Sequence, residues 1–574
     1  MALANFLFIL FFLPSLEALS NVTSSEEQTL NAQALIMQAC SDVENQSSCL
    51  SNFQAELKKS GPTAHSILHA ALRATLDEAM RAIDMITKFN ALSVSYREQV
   101  AIEDCKELLD FSVSELAWSL KEMNNIRAGI KNVHYEGNLK AWLSAALSNP
   151  DTCLEGFEGT DGHLENFIRG SLKQVTQLIG NVLALYTQLH SLPFKPPRND
   201  NGTTTNSGSD KFPEWMTEGD QELLKGSSLG MHIDAIVAGD GTGHYRTITE
   251  AINEAPSYSN RRYIIYVKKG VYRENIDMKR KKSNIMFVGD GIGQTVVTGN
   301  RNFMQGWTSF RTATVGEYLN ICACCSLLVF GLHLHVDVCS TMMFFFFFLL
   351  VAVSGKGFIA RDMTFRNTAG PLNHQAVALR VDSDQSAFYR CSMEGYQDTL
   401  YAHSLRQFYR ECEIYGTIDY IFGNGAAVFQ NCKIYTRVPL PLQKVTITAQ
   451  GRKNPHQSTG FSIQDSYIFA SQPTYLGRPW KQYSRTVFMN TYMSALVQPR
   501  GWLEWYGNFA LGTLWYGEYR NHGPGALLSG RVKWPGYHII QDVATAKFFT
   551  AAQFIDGLSW LPSTGVKFTA GLSN

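Results

Sequence analysis

The chain of 574 residues contains few charged side chains and no excess of either sign. Asp, Glu, Lys and Arg make up 17% of it, and the formal net charge is zero. Globular domains usually contain roughly 25% charged residues. Long blocks of lysine and arginine are also absent, so the sequence offers no electrostatic footprint for nucleic acid or an anionic membrane. We therefore expect no nucleic-acid partner.

The sequence also lacks the patterns of a metal site and of a membrane span. None of its 11 cysteines belongs to a C-x-x-C pair that faces a second pair or a histidine at zinc spacing. The apolar stretch at positions 341–353 is short, and the apolar residues before it are interrupted by His333, His335 and Asp337. A spanning helix needs about 20 apolar residues. We expect no metal, no other cofactor and no membrane span.

The length of the chain predicts two or more domains behind a targeting segment. Residues 1–20 combine an apolar run, a proline and small residues, as in a secretory signal peptide. Secretion permits disulfides and glycosylation, and Asn21, Asn45 and Asn201 each begin an N-x-S/T sequon. Residues 191–230 include a stretch rich in Pro, Gly, Ser, Thr and Asn, which indicates an exposed linker.

Residues 27–190 have the periodicity of amphipathic helices. Apolar residues recur at helical spacing, for example in the stretch from Ala101 to Leu120, and short breaks separate the segments. This pattern predicts an all-α helical bundle.

The helical half resembles the pectin methylesterase inhibitor domain. The resemblance rests on the pair Cys40-x8-Cys49, on IEDCKELLDFSVSEL and on NLKAWLSAALSNPDTCLEGF. It implies a four-helix bundle with disulfides Cys40–Cys49 and Cys105–Cys153.

Residues 231–574 consist of short β-branched and aromatic runs separated by Gly, Asn and Asp. An internal repeat places Cys391, Cys412 and Cys432 at nearly equal intervals. A period near 20 without intervening helices predicts an all-β parallel β-helix with one coil per repeat. The three cysteines would then form one inward-facing column.

Two aspartates occur in register with this repeat. Asp398, in GYQDTLY, precedes Asp419, in GTIDYIFG, by one period, and Gln375 precedes Gln397 by nearly the same interval. Stacking of coils at about 4.8 Å would bring all four side chains into one patch. Two carboxylates about 5 Å apart do not readily ionise together, so one supplies an acid and the other a base or nucleophile.

This half resembles plant pectin methylesterases over nearly its whole length. The motifs that carry the resemblance are VYRENI, GFIARDMTFRNTAGP, QAVAL, GYQDTLYAHSLRQFYR, GTIDYIFGN, LGRPW, GPGA and RVKWPGYH. The resemblance implies a right-handed parallel β-helix and hydrolysis of the methyl esters of pectin homogalacturonan in the plant cell wall, without a cofactor. It also implies a disulfide between Cys412 and Cys432 as one possibility, three free core thiols being the other.

The resemblance further implies a role for each residue of the patch. Asp419 would be the nucleophile, and Asp398 would protonate the leaving methanol and then act as base toward water. Gln397 and Gln375 would stabilise the oxyanion. In the motif LGRPW, the arginine would orient Asp419 by a charge-assisted hydrogen bond and the tryptophan would contact a sugar ring; these are Arg478 and Trp480. Trp502 and Trp505 could be either cleft or core residues.

The chain departs from the related pattern at two places. Residues 316–350 have no counterpart in it, and we interpret them as a retained intron. Gly316-Glu317-Tyr318 can be encoded by a donor-like sequence, and five consecutive Phe codons give a T-rich tract before an acceptor-like site. The loop before Arg478 is also shorter than in the related pattern. Both departures lie near the predicted site.

Three functions are compatible with these features. The leading one is a pectinesterase secreted to the cell wall, whose helical domain acts in cis as an inhibitor or folding aid and to which separate inhibitor proteins could bind. The second is a glycosidase or lyase, since paired carboxylates about 5 Å apart also suit retaining glycoside hydrolysis. The third is a non-catalytic wall-binding or inhibitor protein, or an inactive, misfolded product of the insertion.

Overall fold

The computed structural model describes Met37 and residues 64–128, 134–190, 232–313 and 351–573. The chain divides into two compact units, Met1–Ser209 and Asp210–Asn574. The predicted signal peptide, the Cys40–Cys49 pair, the three sequons, the linker and the insertion at 316–350 all lie outside the described residues. Within the described ranges, no helix is long and apolar enough to cross a membrane.

The described part of the first unit contains four long helices that pack as a bundle. They are α1 (Ala64–Phe89), α2 (Tyr96–Arg127), α3 (Tyr135–Glu155) and α4 (His163–His190). Helix α2 begins at a capping box in which the side chains of Ser95 and Glu98 each bind the other's backbone N–H. A disulfide joins Cys105 of α2 to Cys153 of α3. The cross-link therefore fastens two neighbouring helices, which also share an edge-to-face contact between Trp118 and Trp142.

The second unit is a right-handed parallel β-helix. Its strands are β1 (Ala235–Val237), β2 (Tyr263–Val267), β3 (Gly270–Arg273), β4 (Ile276–Met278), β5 (Ile285–Val288), β6 (Thr295–Gly299), β7 (Val351–Val353), β8 (Ile359–Asn367), β9 (Leu379–Val381), β10 (Ser386–Glu394), β11 (Leu400–Ala402), β12 (Arg406–Arg410), β13 (Glu413–Gly416), β14 (Ile421–Gly423), β15 (Ala426–Gln430), β16 (Lys433–Thr436), β17 (Val445–Gln450), β18 (Gly460–Gln464), β19 (Tyr467–Phe469), β20 (Thr474–Gly477), β21 (Arg485–Met489), β22 (Tyr492–Met493), β23 (Trp515–Tyr519) and β24 (Tyr537–Ile539). In the described part of this unit, three short α-helices accompany them: α5 (Ile248–Glu254), α6 (Val543–Phe548) and α7 (Ala551–Phe554).

The strands stack in register from coil to coil. In the seven-stranded sheet β4-β7-β9-β11-β14-β17-β20, Leu379 pairs with Leu400 and Leu400 pairs with Ile421, so these two coils are equally long. The next two coils are longer, because Ile421 pairs with Thr448 and Thr448 with Gly477. Coil length is therefore constant around the two aspartates and varies after them.

The column of cysteines corrects one expectation. Cys391, Cys412 and Cys432 are all buried free thiols, so the expected Cys412–Cys432 disulfide is absent and three core thiols are present. The Cys412 and Cys432 thiols donate to backbone carbonyls of the preceding coil, those of Phe388 at 3.4 Å and Tyr409 at 3.5 Å. Burial raises the pKa of Cys391 to about 12 and that of Cys412 well above its ordinary value. Because oxidation proceeds through the thiolate, these surroundings slow the reaction of the thiols with oxidants.

The C-terminal segment covers an outer face of the larger sheet. Four residues of α6, α7 and the turns after them pack with apolar side chains that point away from the coil interior: Phe549, Phe554, Trp560 and Leu561.

The predicted site residues lie in the turns beside strands of the seven-stranded sheet.

Candidate active site

The turns before β11 and β14 bring the two aspartates together. The Asp398 amide donates to the carbonyl of Ile418 at 3.1 Å, and the Leu400 amide donates to that of Tyr420 at 2.9 Å. In a parallel ladder this pattern aligns Asp398 with Asp419 on adjacent coils. The carboxylates predicted from the repeat therefore occupy equivalent positions, one coil apart.

Both aspartates have left-handed backbone conformations, with φ of 62° at Asp398 and 50° at Asp419. For a residue other than glycine, this conformation costs about 1 kcal/mol. Each turn begins at a glycine that lies close to its neighbours. A Cβ at Gly395 would be 2.7 Å from Thr399 Oγ1, and one at Gly416 would be 2.2 Å from Tyr420 Cβ. Tight packing thus holds both carboxyl groups in strained turns, which is frequent at functional sites.

Asp419 is almost fully buried and has two side-chain partners. The guanidinium of Arg478 donates from Nε to Oδ1 at 2.9 Å and from Nη2 to Oδ2 at 2.6 Å. The hydroxyl of Thr446 donates to Oδ1 at 2.6 Å, and the same hydroxyl oxygen accepts the Asp419 backbone N–H at 3.0 Å. Charge-assisted, two-point contacts of this kind orient a carboxylate strongly. Both Asp419 oxygens are therefore fixed in direction.

Arg478 follows β20 directly and is itself held from the side. Its guanidinium carbon lies 4.2 Å from the centroid of the Trp505 ring. Burial lowers the pKa of Arg478, whereas the charges of Asp419 and Asp398 raise it, and the net direction is upward. The cation thus interacts favourably with the negative charges of both aspartates.

The two glutamines lie beside the aspartates along the direction of stacking. The Ala376 amide donates to the Gln397 carbonyl at 3.2 Å, which aligns Gln375 with Gln397. Both side chains are half-buried. The amide of Phe303 donates to the carbonyl of Gln375 at 2.9 Å and ties this coil to the turn after β6. The two glutamines are therefore aligned on adjacent coils, each one residue before a position that is aligned with Asp419.

An aromatic cluster forms the neighbouring part of the site. The Trp480 ring makes edge contacts with Tyr401 at 6.5 Å and with Phe422 at 5.8 Å between ring centroids. Tyr401 and Phe422 point outward from β11 and β14 and stack on each other at 4.1 Å. A Cβ at Gly451 would lie 2.9 Å from the Trp480 ring, so glycine leaves room for the indole. Trp480 remains half-buried, and Nζ of Lys481 lies 5.1 Å from the centroid of its ring.

The two tryptophans left undecided by the sequence have different positions. Trp502 is fully buried, stacks on Tyr516 with centroids 4.1 Å apart, and donates from Nε1 to Glu518 at 3.4 Å. It is a core residue. Trp505 is half-buried against Arg478 and belongs to the site.

The described residues on either side of the insertion retain the stacking of coils. Strand β7 begins at Val351 and pairs with β4 on one side and β9 on the other. The shorter loop before β20 likewise leaves Arg478 in contact with Asp419. Neither departure from the related pattern separates the residues of the site.

Sequence reasoning missed Thr446, Tyr401 and Phe422. Thr446 follows Asp419 by more than one repeat period, and no motif marked it. Alternation along β11 and β14 could have assigned Tyr401 and Phe422 to the outer face. Among the described residues, no group of three His, Cys, Asp or Glu side chains could hold a metal ion.

A parallel β-helix that presents an aspartate pair, flanking amides and an arginine on one sheet defines a class of carbohydrate-active ester hydrolase. The profile of the pectinesterase family matches residues 234–322 and 342–558, and that of the plant invertase/pectin methylesterase inhibitor family matches residues 34–185. The interval between the two pectinesterase segments falls within the residues that we interpret as an insertion.

Similar proteins agree with these matches. The pectinesterase/pectinesterase inhibitor numbered 22 of Arabidopsis thaliana is 60% identical, over 96% of this chain and 97% of its own. The pectinesterase/pectinesterase inhibitor PPE8B of Prunus persica is 47% identical, over 87% and 88%. The structure of pectin methylesterase from carrot is 48% identical and has a TM-score of 0.53, covering 60% of this chain and 99% of that one. The chain belongs to the pectinesterase family and is a carboxylic ester hydrolase that demethylates pectin.

Proposed function

We propose that Asp419 attacks the C6 carbonyl carbon of a methylated galacturonate unit. The bond formed gives a tetrahedral intermediate whose oxyanion accepts hydrogen bonds from the amides of Gln397 and Gln375. The intermediate collapses when the carbon–methoxy bond breaks and Asp398 gives its proton to the departing oxygen. Methanol leaves, and the galacturonyl group remains on Asp419 as an acyl intermediate.

In the second half of the reaction, Asp398 acts as the base. Its carboxylate accepts a proton from a water molecule that attacks the same carbonyl carbon. The bond to Asp419 breaks, galacturonate leaves, and Asp398 is protonated again. The balance is one ester and one water consumed, and one acid and one methanol formed.

One observation carries this assignment: Arg478 and Thr446 donate to Asp419, which is aligned with Asp398 on the next coil. An oriented carboxylate suits a nucleophile, and a second carboxyl group one coil away suits proton transfer. Trp480, which is half-buried beside Tyr401 and Phe422, would contact a sugar of the pectin chain.

Methanol release from methylated pectin tests the roles directly. We expect Asp419→Asn and Asp398→Asn each to lose activity by about 10³-fold or more. Gln397→Ala should lose on the order of 10²-fold, the usual effect of removing an oxyanion donor. The length of the polysaccharide should not change, since shortening would indicate a glycosidase or lyase. Substantial methanol release by Asp419→Asn would refute the nucleophile assignment.

We propose that the chain has two domains, residues 27–190 and residues 231–574. The first, helical domain acts in cis on the β-helix as an inhibitor or folding aid. The match to the inhibitor family supports this role. A protease site introduced into residues 191–230 of the full chain would test it. Cleavage should raise activity, and unchanged activity would count against inhibition.

Secretion to the plant cell wall and binding of separate inhibitor proteins are part of the same proposal. The signal-like residues 1–20 and the nature of the substrate support secretion. Detection of the chain in the wall fraction, with residues 1–20 removed, would test it.

A further inference from the structure

Arg437 follows β16 and reaches back across two coils to the turn that carries Gln397 and Asp398. Its Nη1 donates to the carbonyl of Gly395, the first residue of that turn, at 2.9 Å. Its own backbone N–H donates to the carbonyl of Gly416 at 2.7 Å, at the start of the turn that carries Asp419. One residue thus contacts the first residue of both turns.

The guanidinium also packs against the tyrosines next to these glycines. Its carbon lies 5.1 Å from the centroid of the Tyr396 ring and 5.4 Å from that of Tyr415. A planar cation that packs on aromatic rings and donates to a carbonyl is held in one orientation, which is a property of arginine rather than lysine. Nη2 lies 3.9 Å from the carboxylate of Glu394. The Arg437 side chain is 29% exposed, so these contacts are only partly screened by water.

The turn that Arg437 holds needs such support. Asp398 has a left-handed backbone with φ of 62°, and conformations of this kind persist only where their surroundings impose them. The Tyr396 carbonyl accepts hydrogen bonds from the Thr417 amide at 2.9 Å and from Thr399 Oγ1 at 3.2 Å. Arg437 adds two contacts immediately before that peptide, at the Gly395 carbonyl and on the Tyr396 ring.

We propose that Arg437 is a positioning residue for ester hydrolysis. By holding Gly395 and Tyr396, it sets the direction of Gln397 and Asp398 relative to Asp419. This inference rests on the roles proposed above for those three residues. Misplacement of an acid and an oxyanion donor by a fraction of an ångström lowers the rate of the chemical steps more than the binding of substrate.

Substrate binding should be little affected, because the aromatic cluster is carried by strands that are held by pairing with neighbouring coils, whereas Arg437 contacts the turns before two of them. Trp480 follows β20, and Tyr401 and Phe422 belong to β11 and β14. Loss of Arg437 should therefore lower kcat with little change in KM.

The test compares Arg437→Gln and Arg437→Lys with Arg366→Gln in the full chain. Arg366 donates from Nε to Glu394 at 2.7 Å, so it shares this acidic partner, but it lies in β8. We expect both Arg437 variants to lose about tenfold or more in kcat, with KM within about twofold of the parent value. Arg366→Gln should keep the parent kcat. The pH profile of kcat should shift for the Arg437 variants and not for Arg366→Gln, because only the former change the surroundings of Asp398.

A rescue experiment separates positioning from general destabilisation. Free guanidinium at low millimolar concentration should partly restore kcat to Arg437→Ala by occupying the space beside Tyr396 and Tyr415. Guanidinium is also a denaturant, so it would not restore activity if Arg437→Ala had lost that activity through unfolding.

The inference is overturned if Arg437→Gln and Arg366→Gln have equal kcat, if KM rises while kcat is unchanged, or if guanidinium restores nothing. Asp398→Asn in the same assay keeps the two proposals apart. An active Asp398→Asn would contradict the proposed function itself. An inactive Asp398→Asn together with a fully active Arg437→Gln would overturn only the role of Arg437.

Discussion

The hydroxyl of Thr446 bonds both the backbone and the side chain of Asp419. It donates to Oδ1 at 2.6 Å and accepts from the N–H of Asp419 at 3.0 Å. Thr446 is fully buried, so water does not compete for either hydrogen bond. One side chain thereby supports the left-handed backbone of Asp419 and the direction of its carboxylate.

Replacing Thr446 with valine should therefore impair catalysis. Valine has nearly the same shape but removes both hydrogen bonds. A hydrogen bond to a charged group contributes about 1.5–3 kcal/mol, so we expect kcat for methanol release to fall roughly 10- to 100-fold. Thr446→Ser keeps the hydroxyl and should stay within about threefold of the parent. If the valine variant kept full kcat, Thr446 would have no part in orienting Asp419.

Trp480→Ala should weaken binding of pectin. The indole is half-buried and makes edge contacts with Tyr401 and Phe422. Loss of one aromatic contact, about 0.5–1.5 kcal/mol, should raise KM by roughly 2- to 10-fold. Trp502→Phe is the matched control, since this tryptophan is buried. It should lower the thermal stability of the β-helix and leave KM unchanged; the opposite pattern would reverse the two assignments.

Leu442→Gly should stabilise the β-helix. Leu442 is fully exposed and has φ of 69°, and the Gln443 amide donates to the carbonyl of Leu440 at 3.1 Å, as in a type II turn with Pro441 at its second position. Glycine at the third position removes strain of about 1–2 kcal/mol, which exceeds the roughly 0.5–1 kcal/mol lost through the greater freedom of the unfolded chain, so the variant should have a higher Tm.

Leu527→Gly provides the control for that prediction. Leu527 is 70% exposed, but its φ is −66°, so glycine relieves no strain there and adds freedom to the unfolded chain. Its Tm should stay equal or fall. Equal shifts in the two variants would mean that backbone strain at Leu442 has no measurable effect.

The buried imidazole of His403 should make the fold sensitive to acid. Burial, together with the charges of Arg380 and Arg280, holds the pKa of His403 well below its ordinary value. Between that lowered pKa and about 6.5, the unfolded chain binds a proton that the folded chain does not, so stability falls as pH decreases below about 6.5. The slope from this group is about 1.4 kcal/mol per pH unit.

Denaturant unfolding at pH 5 and pH 7 measures this effect. The variant His403→Gln removes the titrating group, so its β-helix should lose less stability over that interval than the parent does. The comparison uses the difference between the two pH values, because the substitution also changes absolute stability. Equal differences in both proteins would contradict the prediction.

Much of the fold follows from two periodicities. Helical spacing from Ala101 to Leu120 predicts a helix that the structure has as part of α2, and the recurring cysteines predict the coils of the parallel β-helix. The interior imposes this repeat, because Phe388, Tyr409 and Phe429 stack in one column with centroids 5.0 and 4.6 Å apart. What the period did not reveal was the redox state of the cysteines, which depends on burial and on the carbonyl that each thiol meets.

The site was predictable as far as coil length stays constant. The interval from Asp398 to Asp419 equals the interval between the paired residues Leu400 and Ile421, so simple counting aligned the two aspartates. Thr446 and Arg478 escape such counting, because the next two coils are longer than the period. The lengths of these two coils are given by the pairing of Ile421 with Thr448 and of Thr448 with Gly477. Arg478 was found only through its motif, and Thr446 was not found.

The sequence by itself determined the two units, the coil period and the aspartate pair, because each follows from the spacing of residues along the chain. Only the tertiary structure decided which distant side chains meet that pair. Thr446 and Arg478 contact Asp419, and Arg437 reaches the turn before Asp398. Coils longer than the repeat period bring Thr446 and Arg478 to Asp419, whereas Arg437 lies two coils of regular length after Gly395. Such contacts depend on how whole coils stack, which no single segment encodes.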